Sequence, residues 1–276
     1  MIKLVAFDLD GTLLTDEKEI TKRTLDAMYA AADKGILMVP TTGRLFRGMP
    51  QVIQDLPFVR YAITINGAAV YDVERDKTVY QAELTHADMR KIFHTIASAD
   101  AICTVYQQGN GWIDTTDYTE LRRMFYARTP KIAENMKRTN RPIDHMRDAV
   151  FEMGDTVQKI QLYFGDMDER ARMFEIVKRE LPEYAITSSI PNNMEINAAG
   201  ANKGQALEAL CEYLGLAREE SMAFGDGNND ISMILKAGIG VAMANAVPQV
   251  LEAADRVTTS NNEDGVAAVL EELLQE

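Results

Sequence analysis

Two short segments of this 276-residue sequence carry carboxylates at spacings that could do chemistry. The first is Asp8-Leu9-Asp10-Gly11-Thr12, directly after an apolar run. Gly11 marks a bend that could bring both acids to one site. The second is Gly225-Asp226-Gly227-Asn228-Asn229-Asp230, directly after the run Ser221–Phe224. If both runs are strands of one sheet, Asp8, Asp10, Asp226 and Asp230 gather at one edge. Carboxylates crowded in this way repel one another unless a cation sits among them. With no His or Cys nearby, an all-oxygen donor set points to Mg²⁺, its octahedron completed by water. Taken singly, each segment also has a plainer reading, as an Asp-capped turn or an Asn/Asp/Gly helix N-cap. The twelve-residue spacing of an EF-hand, ending in Glu, is missing.

Two further pieces suit phosphate. Thr41-Thr42-Gly43-Arg44 follows the apolar run Ile36–Thr41 and is expected to open a helix, where a hydroxyl and backbone N–H groups would seat an anion. Lys203, after Ala201-Asn202, is expected to begin another helix and brings a positive charge. Alone, the first is an ordinary cap and the second an ordinary solvated lysine. Their weight comes from company: all four segments fall at expected strand–helix junctions.

The elements that would position them alternate in type. Ile2–Phe7, Ile36–Thr41 and Tyr61–Ile65 read as buried strands, the last closed by Asn66-Gly67. Thr21 caps a helix expected to bury Leu25, Met28, Tyr29 and Ala32 and to stop at Gly35. Ala68–Tyr71 and Thr78–Ala82 read as a hairpin. Late in the chain come helix Lys203–Leu214, strand Ser221–Phe224, helix Ile231–Lys236, strand Ile239–Met243 and helix Gly265–Leu274. Strand–helix–strand alternation predicts a mainly parallel sheet with helices on its faces. Between these halves, helices Met89–Ala97 and Arg170–Leu181 mix with strands Ile102–Tyr106 and Gln158–Phe164 and an irregular basic stretch over 119–147. The fold class is therefore α/β. Residues 1–83 and 190–276 are expected to build one core, interrupted by an α+β domain over 84–189.

Charge and composition narrow the function. Lys and Arg total 29 against 42 acids, a net charge of −13, which argues against nucleic-acid binding. No run reaches the roughly 18 apolar residues of a membrane span, and Asp8 interrupts any signal-peptide core. Cys103 and Cys211 are far apart and form no metal motif. A reducing, cytoplasmic setting is expected.

The four segments, in this order, resemble the motifs of the haloacid dehalogenase-like (HAD) superfamily, and specifically its Cof-type sugar phosphatases with a C2 cap. Asp8-Leu9-Asp10-Gly11-Thr12, Thr42-Gly43-Arg44, Lys203-Gly204 and Gly225-Asp226-Gly227-Asn228-Asn229-Asp230 match the family's four motifs. Ile65-Asn66-Gly67-Ala68, Glu195-Ile196-Asn197 and Asp255-Arg256-Val257-Thr258…Asp264-Gly265-Val266-Ala267 add to the likeness. The resemblance implies a Rossmann-like core, a C2-type cap and Mg²⁺-dependent hydrolysis of small phosphate monoesters through an aspartyl-phosphate. Asp8 would be the nucleophile and Asp10 the general acid and base, with the Asp10 backbone carbonyl on the metal. Asp226 would be a metal ligand, and Asp230 would bind the metal or its water shell. Thr42, Gly43, Arg44, Lys203 and Asn229 would contact phosphate or substrate, and Lys203 would also stabilise Asp8. A phosphomutase of the phosphomannomutase type shares these aspartates. A phosphometabolite sensor is a third reading, against which the intact catalytic set argues. The partner is a small phosphorylated metabolite, with the oligomeric state left between monomer and weak dimer.

The expected cap holds two other features. Residues 119–147 carry Arg122, Arg123, Arg128, Lys131, Lys137, Arg138, Arg141 and Arg147 against three acids, a net +5. Such a patch either attracts an anionic substrate or is a solvated helix face. Trp112, the only tryptophan, is either a stacking platform or core. His86, His94 and His145 show no ligand spacing, and the 15 methionines read as core filler.

Overall fold

The computed structural model describes residues 1–126, 130–154 and 157–275, and the side chains of all of these except 125, 126, 130–133 and 135. The chain divides into two compact units. The first comprises Met1–Arg44, Met49–Gln81 and Asn202–Glu276, and the second Leu45–Gly48 and Ala82–Ala201.

Five strands come first in the chain: β1 (Leu4–Phe7), β2 (Leu37–Pro40), β3 (Tyr61–Thr64), β4 (Ala69–Asp72) and β5 (Lys77–Gln81). Six follow in the second unit: β6 (Ala101–Gln107), β7 (Asn110–Asp114), β8 (Asn140–Ile143), β9 (Val157–Phe164), β10 (Ala185–Thr187) and β11 (Asn193–Asn197). The first unit closes with β12 (Ser221–Gly225), β13 (Ile239–Ala242) and β14 (Arg256–Val257).

The main sheet of the first unit is wholly parallel, in the order β14-β13-β12-β1-β2. Its two central strands, β1 and β12, are buried throughout, which is why their sequences are continuous apolar runs. Leu4 and Ala6 of β1 pack with Leu207 and Leu210 of α8 (Lys203–Leu214) and Met233 of α9 (Ile231–Lys236). Alternation leaves Val5 and Phe7 for the opposite face. A parallel bridge between Thr41 and Ile63 leads from β2 to the antiparallel sheet β3-β4-β5, which contains the expected hairpin. Chain order reverses between β1 and β12: β1 leads outward to β2, and β12 outward to β13. Ligands of open α/β sheets bind beyond the carboxyl ends of the strands at such a reversal.

Three expectations need correction. Helix α1 (Lys22–Asp33) is capped by Thr21 as expected, but it buries Thr24, Ala27, Met28 and Ala31, while Tyr29 is exposed. Small residues face inward because α1 packs closely on α11 (Gly265–Leu273) and β2. Thr41–Arg44 opens no helix. The Thr42 and Arg44 carbonyls accept from the Asn66 and Ile65 N–H groups, at 3.1 and 3.0 Å, so they are unavailable to a helical ladder. The stretch 119–147 is not irregular: it contains helices α4 (Thr115–Tyr126) and α5 (Pro130–Thr139) and strand β8.

The second unit is a six-stranded sheet, β10-β11-β9-β6-β7-β8, antiparallel except between β7 and β8. Helices α3 (His86–Thr95), α6 (Met146–Glu152) and α7 (Met167–Glu180) contribute to an apolar cluster on one face. Residues of α4 and α5 join Ile102, Ile113 and Tyr163 on the other. Trp112 is half-buried against the first cluster and donates its Nε1–H to the Gln107 carbonyl, which is the core reading. Arg123, Lys137, Arg138, Arg141 and Arg147 are exposed, as a solvated face would be. Arg128 and the Lys131 side chain lie outside the described residues.

Gly204 lets α8 and α9 meet. Its N–H donates to Ser232 Oγ at 3.1 Å, and a Cβ there would stand 2.2 Å from the Ser232 carbonyl oxygen. Gly204→Ala should therefore destabilise the chain by about 1–3 kcal/mol, read as a lowered urea midpoint. An unchanged midpoint would refute this close packing.

Candidate active site

The β1 and β12 ends are adjacent in the sheet, joined by the Asp8 N–H to the Phe224 carbonyl at 3.0 Å. The turns beyond them supply the carboxylates. Carboxylate oxygens of Asp8, Asp226 and Asp230 lie within 4.8 Å of one another. Among the described residues this is the one such group of three or more His, Cys, Asp or Glu.

Lys203, at the start of α8 behind its Asn202 cap, is the cation of this group. Its Nζ lies 2.5 Å from Asp8 Oδ1 and 2.6 Å from Asp230 Oδ1, with the lysine side chain fully buried. Burial alone would favour loss of its proton, but the Asp230 and Asp8 carboxylates overcome this and hold the ammonium above the usual lysine range. Asp8 is pushed up to about 7, first by burial and then by Asp230 and Asp226, against the pull of Lys203. Asp226 is pushed up to about 6, again mainly by burial.

Asp230 has both oxygens engaged. While Oδ1 faces Lys203, Oδ2 accepts from the Asp226 and Gly227 N–H groups at 3.0 and 2.9 Å. It thus shapes the turn that presents Asp226. Thr12 Oγ1 donates to Asp226 Oδ1 at 2.8 Å and fixes that carboxylate from the other side.

Asp10 is turned elsewhere. Its Oδ2 meets Arg44 Nη2 at 2.6 Å and its Oδ1 meets Lys18 Nζ at 3.0 Å. Burial would raise its pKa, but Arg44 and then Lys18 win and hold it below the usual carboxylate range. Directly after Asp10 the chain turns at Gly11, with φ +89° and with Asp226 Oδ2 only 2.4 Å from where a Cβ would be. No other residue type fits there.

Thr42 is buried, its hydroxyl accepting from the Arg44 N–H at 3.4 Å. The neighbouring loop that holds it has Ile65 and Asn66 in the left-handed region, at φ 54° and 58°. Such a conformation is unusual for a β-branched residue and is typical of backbone held under constraint near functional sites. Asn229 is exposed. Of the nine residues singled out from the sequence, the structure gathers Asp8, Asp226, Asp230 and Lys203 tightly and pairs Asp10 with Arg44.

Sequence reasoning missed the clasp on the segment that carries Asp10. Asn245 Nδ2 donates to the Gly11 carbonyl at 2.8 Å, and Asn261 Nδ2 to the Leu14 carbonyl at 2.9 Å. The Asn261 N–H in turn reaches Asn245 Oδ1, and Asn262 exchanges two hydrogen bonds with Asp16. Only their place beside the late Asp264-Gly265-Val266-Ala267 match hinted at a role.

Against this geometry the chain's relatives can be placed. The family model for haloacid dehalogenase-like hydrolases matches residues 5–270. The chain belongs to this family. It is 34% identical over 269 residues to a 5-amino-6-(5-phospho-D-ribitylamino)uracil phosphatase of Bacillus subtilis, covering 98% of this chain and 94% of that protein. Among solved structures, a haloacid dehalogenase-like hydrolase from Bacteroides thetaiotaomicron superposes with a TM-score of 0.81 at 28% identity, over 99% of this chain and 100% of that one. A HAD subclass IIB sugar phosphatase follows with a TM-score of 0.78 at 25% identity, over 98% of each chain. These relatives agree with the expected HAD fold and with the class of phosphoric monoester hydrolases.

The HAD site as built could hold a divalent cation. Its donors are all oxygens, the choice of a hard ion. Three carboxylates against one lysine leave an excess of negative charge, which adds to burial in raising the pKa values of Asp8 and Asp226. Partners that orient a metal-binding carboxylate typically matter about 10–100-fold for affinity. Thr12→Val should weaken Mg²⁺ binding by about tenfold in titration calorimetry, and Thr12→Ser should restore it. Equal affinity in all three proteins would remove Thr12 from the site.

Proposed function

We propose that this chain is a Mg²⁺-dependent phosphatase that hydrolyses small phosphate monoesters, sugar phosphates foremost, through an aspartyl-phosphate on Asp8. The observation that carries the reading is the buried Lys203 Nζ at 2.5 Å from Asp8 Oδ1, within the three-carboxylate cluster. A cation on one oxygen of Asp8 orients the other toward an incoming phosphorus and offsets the negative charge of the phosphoryl group. Phosphoryl transfer needs little beyond such positioning and electrostatics.

Asp8 and Asp226, with the Asp10 backbone carbonyl, would hold Mg²⁺, and Asp230 would support them. When bound, the ion would neutralise phosphate oxygens and the charge that builds up during transfer. Thr42 Oγ1 and the Gly43 N–H would grip the phosphoryl oxygens, with Asn229 at the substrate side. Asp8 attacks phosphorus as the ester P–O bond breaks, and Asp10 gives a proton to the departing alkoxide. Water then attacks the phosphorus of the aspartyl-phosphate, the bond to Asp8 breaks to release inorganic phosphate, and Asp10 takes the water's proton. The partners of Asp10 suit the second half of this cycle. Arg44 and Lys18 keep it ionised, the form that accepts a proton. Protonating the leaving group requires Asp10 to loosen from them, and phosphate arriving beside Arg44 would compete for that guanidinium.

The second unit, residues 84–189 in the expected division, would serve as a C2-type cap that discriminates among esters. The relatives include a phosphatase of 5-amino-6-(5-phospho-D-ribitylamino)uracil and a sugar phosphatase, which name two classes of candidate substrate. Both belong in a first substrate panel.

Phosphate release over that panel, with Mg²⁺ and with EDTA, tests the reaction. Release should require Mg²⁺, and Asp8→Asn should reduce it on the order of 10³-fold or more while the fold persists. Substantial turnover by Asp8→Asn would end the assignment. Asp10→Asn should slow turnover by about 10²–10⁴-fold and leave Mg²⁺ affinity nearly unchanged. A large loss of affinity would show that the Asp10 carboxylate, and not its carbonyl, serves the metal.

A further inference from the structure

Residues 15–19 belong to none of the segments that carry the family resemblance, yet they are closely tied down. The Lys18 N–H donates to the Thr15 carbonyl at 2.9 Å, the Thr15 N–H to the Glu19 carbonyl at 3.0 Å, and the Glu19 N–H to Thr15 Oγ1 at 3.3 Å. These bonds close a turn with Lys18 at φ +66°, in the left-handed region that a lysine rarely enters. Asp16 anchors the turn from outside. Its N–H donates to Asn262 Oδ1 at 3.0 Å, and its carboxylate accepts from Asn261 Nδ2 at 3.2 Å and from Asn262 Nδ2 at 2.9 Å. Asn261 also holds the Leu14 carbonyl, so the loop is fixed on both sides of Thr15.

The turn presents Lys18 Nζ to Asp10 Oδ1 at 3.0 Å. Stability does not explain this arrangement. The two side chains are 54% and 37% exposed, and an ion pair in that setting contributes little. A left-handed lysine is itself strained. An anchored, strained turn that shows one ammonium to one carboxylate is better explained by what the carboxylate does. Arg44 holds the other oxygen, Oδ2, at 2.6 Å. The two cations differ in their place in the chain. Arg44 directly follows Thr42 and Gly43, at the expected phosphate grip, whereas Lys18 shares a loop with Asp10.

We infer that Lys18 is a positioning residue for the second half of the reaction, in which Asp10 takes a proton from water. The inference rests on the phosphatase reading and adds to it a residue outside the family's motifs. With a phosphoryl group on Asp8, Arg44 is drawn to the phosphoryl oxygens and releases Asp10 Oδ2. Lys18 keeps hold of Oδ1, so the carboxylate stays in place and presents Oδ2 to the water. Lys18 acts here only through Asp10. Its loss therefore slows breakdown of the aspartyl-phosphate and leaves formation of that intermediate from an activated ester unaffected.

The test uses the full-length protein and p-nitrophenyl phosphate, whose phenolate departs without a proton, so that only the second half of the reaction calls on Asp10. Lys18→Met keeps the length of the side chain and removes its charge, and Lys18→Gln takes its place if that variant does not fold. In either, kcat should fall about tenfold, within the roughly 10²-fold that a misplaced group can cost. KM should fall with it, leaving kcat/KM unchanged, because only the step after phosphoryl transfer has slowed. A stopped-flow burst of nitrophenolate equal to the enzyme concentration should accompany the change, and Lys18→Arg should restore kcat. An unchanged kcat, a fall in kcat/KM, or a Lys18→Arg variant no better than Lys18→Met overturns the inference alone. No phosphate release by the wild type from any ester overturns the phosphatase reading and this inference with it.

Discussion

A fully buried lysine ammonium between two carboxylates is the constraint around which the first unit is organised. Lys203 is tolerable inside the protein only while Asp8 and Asp230 are both within reach, since an unpaired buried charge is strongly destabilising. Those acids are separated by more than two hundred residues of sequence. They meet because β1 and β12 are neighbours in the parallel sheet, with their turns at the same edge. The lysine arrives from a third direction, on a helix whose start is packed against α9 through Gly204. Sheet order, helix packing and charge balance thus converge on one ammonium group.

The same edge assigns different tasks to two aspartates only two residues apart. Asp8 faces inward, where burial and neighbouring acids push its pKa to about 7 against the pull of Lys203. Asp10, directly before the Gly11 turn, points to Arg44 and Lys18, which keep it ionised. This separation depends on the path of a short loop, and that path is enforced from a distance by Asn245, Asn261 and Asn262. Residues near the end of the chain therefore hold the backbone carrying Asp10 near its beginning.

Legibility in the sequence followed the range of the physical signal. Buried parallel strands announce themselves as apolar runs, and helices Lys203–Leu214 and Ile231–Lys236 lie where their patterns put them. Turn chemistry made the Asp8 and Asp226 segments visible, because acids crowded next to glycines at strand ends have few structural uses. What was missed acts over long range. Thr12 on Asp226 and Asn261 on Leu14 are ordinary polar residues until tertiary structure supplies their partners. The helix expected at Thr41–Arg44 fails for the same reason: its carbonyls are claimed by a loop some twenty residues on. In α1, hydrophobicity pointed to Tyr29 and Leu25, whereas close packing selected Thr24, Ala27 and Ala31.

The second unit shows why a reactive centre is easier to read than a buried polar face. Alternation of Lys159 and Gln161 with Ile160 and Leu162 is the pattern of a strand with one face in water. In the fold both faces are buried, and the whole of β9 is enclosed. The polar residues are therefore not solubilising a surface. They carry hydrogen-bonding capacity into the interior, where each unpaired group is destabilising. Catalytic chemistry demands particular residue types at particular turns and so leaves a signature in the sequence. Polar groups on the inner side of a strand leave no such signature, and in sequence these are indistinguishable from residues facing solvent. The distinction emerges only when burial is known, and it is burial that separates the face of Thr104, Lys159, Gln161 and Glu195 from an ordinary amphipathic sheet.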